Sequence, residues 1–179
     1  MKTRDNKPKV PTPVGDSPAK QLAGFIAKFD PATATMIKLC RAALRKRMPT
    51  AFELVYDHYN FFVIGFCSTP RASDCIVSLA TSANGVGLCF IFGAKLPDPH
   101  KILLGSGKQT RFIRLESAAT LAQPAVESLI RAAIANARAP LPSAGGGTLI
   151  IKSVSAKQRS RRKTATSQMK VVRSRGFAQ

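Results

Sequence analysis

The sequence predicts an α+β fold: an antiparallel sheet of about five to six strands packed against N-terminal helices and one C-terminal helix. Two segments of helical period open the chain, short apolar segments joined by tight turns fill its middle, and one more helical segment precedes a last β-rich stretch. Successive strands joined by tight turns imply a meander; regular alternation of strand and helix would have implied a parallel sheet.

Ser17-Pro18 reads as a helix cap with proline at the first helical position, and Leu22, Phe25, Ile26 and Phe29 recur behind it at helical spacing. Asp30-Pro31 repeats the signal and opens a second helix to about Met48, with Ile37, Cys40, Leu44 and Met48 on one side. Lys38, Arg41 and Arg45 fall towards the other side and read as a solvated face, while Arg45, Lys46 and Arg47 suit the negative end of the helix dipole.

From Ala51 the period becomes two. Phe52, Leu54 and Tyr56 alternate with Glu53, Val55 and Asp57, a strand with one face towards the helices. Asp57 to Asn60 is turn-like, and Phe61 to Phe66 is a nearly continuous apolar strand. A loop with Pro70 and Arg71 leads to a strand over Asp74 to Thr81. Asn84-Gly85 then marks a hairpin into Val86 to Phe92. Pro124 starts a helix with Val126, Leu129, Ile130, Ala133, Ile134 and Ala137 on one face, and Pro140, Pro142 and Gly145 to Gly147 close it. Thr148 to Val154 is short and β-rich, a last strand added to the sheet.

Composition frames this domain with basic ends. Residues 1–16 and 157–179 are expected to be disordered, leaving 17–156 as one folded domain. The net charge is +19, nine of the 28 basic residues follow Ile151, and no acid does. That asymmetry favours an anionic partner, either a small anion or a nucleic acid. No secretory signal opens the chain and no stretch is apolar for long enough to span a membrane, so a cytoplasmic protein is expected. Cys40, Cys67, Cys75 and Cys89 form no Cys-x-x-Cys pair and read as small buried hydrophobes in a reducing compartment. Neither His58, beside Asp57, nor His100, beside Asp98 and Pro99, has metal-ligand spacing; no metal, cofactor or catalytic residue is assigned.

The segment GAKLPDPHKILLGSGKQTRFIRL, Gly93 to Leu115, holds the densest group of chemical features. Pro97-Asp98-Pro99 bars helix, Gly105-Ser106-Gly107 lets the backbone turn again, and Arg111 to Leu115 is a strand. A phosphate-binding P-loop would place glycine at Ile102 and Ser or Thr at Gln109, and a helix would follow; that motif is absent. What remains is an anion-site reading in which Gly105, Gly107 and Lys108 offer amides and an ammonium beside Arg111 and Arg114. Tyr56 and Tyr59 are expected neighbours, and Asp98 is expected to hold the loop through backbone amides.

ELVYDHYNFFVIGF, RASDCIVSLA, the Gly93 to Leu115 segment and LIIKSVSAKQR, in this order, resemble the YdhG-like bacterial family of unknown function. The resemblance covers roughly Leu22 to Arg162 and is most specific at Leu96-Pro97-Asp98-Pro99 and Gly105-Ser106-Gly107-Lys108 with Arg111. It implies a helix-flanked antiparallel sheet and no assigned reaction. One branch of that superfamily is similar to frataxin and linked to iron delivery, but a hard cation needs clustered carboxylates, and only nine acids stand among 28 bases.

Two binding readings follow. The first is a noncatalytic module that takes an anion at the glycine-rich loop. The second is nonspecific nucleic-acid binding through Lys157, Arg159, Arg161, Arg162 and Lys163, with phosphates neutralised and bases unread. Phe177 is the tail's lone aromatic, and this lack of interleaved rings argues against stacking on single strands.

Overall fold

The computed structural model describes residues 16–162. Helices α1 (Pro18–Ala27) and α2 (Pro31–Arg47) are followed by β1 (Phe52–Asp57), β2 (Phe62–Cys67), β3 (Cys75–Ser82), β4 (Gly85–Phe90) and β5 (Arg111–Leu115). Helix α3 (Pro124–Ala135) then leads to β6 (Leu149–Val154). The fold is the expected α+β class, with strand order β5-β4-β3-β2-β1-β6.

Both N-terminal caps form as their residues dictate. The Ser17 hydroxyl accepts from the Lys20 amide at 3.3 Å, and the Asp30 carboxylate accepts from the Thr33 amide at 2.9 Å, with proline opening each helix. Strands β1 to β5 are an antiparallel meander. The sixth strand departs from the purely antiparallel expectation: β6 lies parallel to β1, because the chain crosses from the β5 edge to the far edge through α3. Gly147 fixes its entry. Its amide donates to the Pro49 carbonyl at 2.9 Å, and any Cβ there would collide with the Ala51 carbonyl.

The three helices share one core with one face of the sheet. Leu22 and Ile26 of α1, Ile37 and Leu44 of α2, and Leu129 and Ile130 of α3 meet Val55, Ile64, Leu79, Leu88 and Ile113. Each fully buried Leu or Ile side chain contributes about 2 kcal/mol. The opposite face carries a smaller cluster of Leu54, Cys67 and Cys75, flanked by Phe52, Tyr56, Ile91 and Ile150. In β1 it is therefore Glu53, Val55 and Asp57 that face the helices. Among the described residues no helix is long and apolar enough to cross a membrane.

Candidate functional site

Strand β1 takes two carboxylates under the helices, and each collects cations. Glu53, 1% exposed, receives Arg41 Nε at 2.5 Å and a second guanidinium from Arg45, both from α2. Arg41 and Arg45 are thus not the solvated face their spacing suggests; a buried carboxylate must be paired, and α2 is the element above it. Asp57, also 1% exposed, lies four residues further along the same face. It accepts from Lys28 Nζ at 2.5 Å, Gln158 Nε2 at 2.7 Å and Arg161 Nη2 at 2.8 Å.

This second cluster anchors the start of the basic C-terminal segment. Arg161 is only 4% exposed; its guanidinium also donates to the His58 carbonyl and stands 5.8 Å from the Phe29 ring. The Ser155 amide donates to the Asp57 carbonyl at 2.9 Å, and the Arg159 amide to the Tyr59 carbonyl at 2.9 Å. Residues 157–162 therefore run along the β1–β2 hairpin. Arg161 is part of the folded body, which corrects the assignment of a disordered, phosphate-facing tail from Lys157 onward; Lys163 and the rest of that tail lie outside the described residues.

The hairpin beside this segment is unusually aromatic for an exposed turn. Tyr59 and Phe61 are 52% and 50% exposed. His58 packs edge-on against Tyr56 with ring centres 5.4 Å apart, and its Nε2 lies 3.1 Å from the Ser153 hydroxyl. His58, Tyr59, Asn60, Phe61, Val63 and Ser155 line an open cleft of about 360 Å³. Lys157, Arg159 and Arg162 are exposed on the segment that borders it. The result is a surface of exposed rings flanked by cations, assembled from two parts of the chain about a hundred residues apart.

The loop residues of the anion-site reading stay together, but the two tyrosines expected beside them do not join them. Arg111 and Arg114 lie on β5 and Tyr56 on β1, four strands apart across the sheet, about 19 Å at the usual strand spacing. Tyr59, beyond the end of β1, is on the same distant side. Arg111 Nη1 donates to the carbonyls of Gly107 and of Thr110, the latter at 2.9 Å, so its guanidinium closes the loop. The Asp98 carboxylate accepts from the Ile102 amide at 3.0 Å and the Leu103 amide at 2.9 Å. Lys108 and Arg114 are exposed, as are Gly105, with φ of 104°, and Gly107.

Asp57 and His58 also stand apart from Asp98 and His100. The first pair stands where β1 ends, whereas the second lies between β4 and β5 at the opposite end of the strands. Among the described residues no group of three or more His, Cys, Asp or Glu side chains is placed to hold a metal ion.

Sequence reasoning missed the Glu53 and Asp57 clusters and the exposed hairpin ring Phe61. One local signal was present: Glu53, Val55 and Asp57 share a parity in β1, which puts both carboxylates on whichever face Val55 occupies. No local signal links Asp57 to Gln158 and Arg161. No family model matches the chain, and neither a curated protein nor a solved structure matches it.

Proposed function

We propose that this chain is a noncatalytic binding protein for an anionic polymer, single-stranded nucleic acid, which it takes on the β1–β2 hairpin and the segment docked beside it. One contact carries the reading: the hydrogen bond from the Arg159 amide to the Tyr59 carbonyl, which sets the basic segment alongside the exposed rings. Cations alone bind any phosphate polymer without regard to its strandedness. Rings add a preference, because a base can stack on an exposed aromatic only when it has left its own stack. Tyr59 and Phe61 would carry the bases, and Lys157, Arg159 and Arg162 the phosphates. The glycine-rich loop is the weaker alternative, since Arg111 is already engaged with loop carbonyls. A YdhG-like assignment remains part of the proposal and adds no reaction to it.

Fluorescence anisotropy with oligothymidylate of about twelve nucleotides, within the site sizes such surfaces cover, tests the reading. The full chain binds the single strand more tightly than a duplex of equal length. Tyr59→Ala with Phe61→Ala weakens single-strand binding roughly ten- to a hundredfold, the loss of one or two stacked bases. Arg159→Ala lowers the slope of log affinity against log salt by about 0.7, one phosphate contact on a single strand. Equal affinity of the double variant and the native chain would sink the proposal.

A further inference from the structure

We propose that Cys67 and Cys75 are a redox-active pair that a hydroperoxide closes to a disulfide across β2 and β3. The two residues are paired in the antiparallel ladder where β2 ends and β3 begins, just past a β-bulge that shifts the register between Phe66 and Cys67. The bulge turns Cys75 to the face that Cys67 occupies, and directly opposed residues in a regular ladder have Cα atoms about 4.5–5.5 Å apart. That lies inside the range a disulfide spans, roughly 4.4–6.8 Å. Closure therefore asks chiefly for side-chain rotation at the bulge.

Both side chains are on the sheet face away from the helices, in one cluster with Leu54 and beneath Phe52, Tyr56, Ile91 and Ile150. Gly65 leaves them room. A Cβ at that position would lie 3.1 Å from Cys75 Sγ and 3.6 Å from Cys67 Sγ, so both sulfurs converge on the space an absent side chain leaves. Cys75 Sγ donates to the Val77 carbonyl at 3.3 Å and must release that bond to react. The remaining cysteines differ. Cys40 is buried in the helix-side core and Cys89 lies on β4, opposite Ser78 and Phe112.

The chemistry balances with hydrogen peroxide as oxidant. One thiol, as its thiolate, attacks a peroxide oxygen to give a sulfenic acid and water; the second displaces the hydroxyl from that sulfur, forming the S–S bond and a second water. Two cysteines are oxidised by two electrons and the peroxide is reduced. The hydrogen bond to Cys67, followed by burial, holds the Cys75 thiol well above its ordinary pKa, and burial pushes the Cys40 thiol up to about 11. The thiolate is the reactive form, so closure is slow at neutral pH and faster in mild alkali.

The test uses the folded full chain in dilute hydrogen peroxide at mildly alkaline pH, followed by thiol titration and peptide mapping under non-reducing conditions. Free thiols counted after unfolding in denaturant fall from four to two, and the only linked peptides join Cys67 to Cys75; dithiothreitol restores all four. Four thiols still free after prolonged exposure would overturn the proposal. So would a disulfide that joins Cys89 or Cys40, or one that links two chains.

Discussion

Glu53 has almost no water to share its charge with, so its stability contribution rests on the two arginines of α2. A hydrogen bond to a charged group contributes about 1.5–3 kcal/mol, more than a neutral one, because an unpaired buried carboxylate keeps its whole desolvation cost. Glu53→Gln removes the charge but keeps the shape, and leaves Arg41 and Arg45 to turn to the solvent they already partly reach. We expect a loss of about 2 kcal/mol in urea unfolding. Glu127 makes the informative comparison: it pairs with Arg47 at 3.2 Å but is itself 37% exposed, so Glu127→Gln costs under about 1 kcal/mol. Equal midpoints for the two variants would mean that burial of Glu53 does not govern the strength of its pairs. The composition alone, with few acids among many bases, does not distinguish these two glutamates; only the face each strand or helix presents does.

The elements with local signals were legible in the sequence, and α2 shows why. Asp30-Pro31 fixes its start, Ile37, Cys40 and Leu44 recur on its buried face, and three cations close its last turn. The backbone chemistry of a cap acts over three residues, so a short window contains the whole cause. Strand β6 shows the opposite. Its β-rich composition announces a strand, but its parallel pairing with β1 depends on a crossover through α3 and on Gly147 beside Ala51, which no local window holds. The cap also yields a pH prediction. The Thr33 amide holds the Asp30 carboxyl below its ordinary 3.8. A depressed folded-state pKa means the stabilisation is present above the unfolded value and is lost as pH falls through the folded one. Asp30→Ala therefore costs about 1 kcal/mol near neutrality. The gap between variant and native chain narrows below pH 3.8, as urea titrations at neutral and strongly acid pH would record.

At the scale of the molecule, folding gives the acids partners and leaves the described bases, Arg161 excepted, at least partly exposed. Asp16, Asp30, Glu53, Asp57, Asp74, Asp98 and Glu127 all have hydrogen-bonded or ionic partners, and Glu116 alone of the described acids stands without one. A surface so arranged attracts anions, and the chain's net charge says as much. What the charge cannot locate is where rings join the cations, because Tyr59 and Arg159 are neighbours only through the docking of the C-terminal segment. That docking rests on Asp57. A chain ending at Ala156 loses Gln158 and Arg161 and leaves the buried carboxylate with Lys28, so removing the segment costs about 3 kcal/mol, as breaking a buried pair does. The same truncation abolishes binding of oligothymidylate. Substituting Lys157, Arg159 and Arg162 together by alanine in the full chain separates the two effects: affinity falls, while the urea midpoint holds because Arg161 and Gln158 still reach Asp57. If instead the truncated chain unfolds at the native midpoint, the segment is not part of the folded body, and the rings lose the cations that the proposed interface requires.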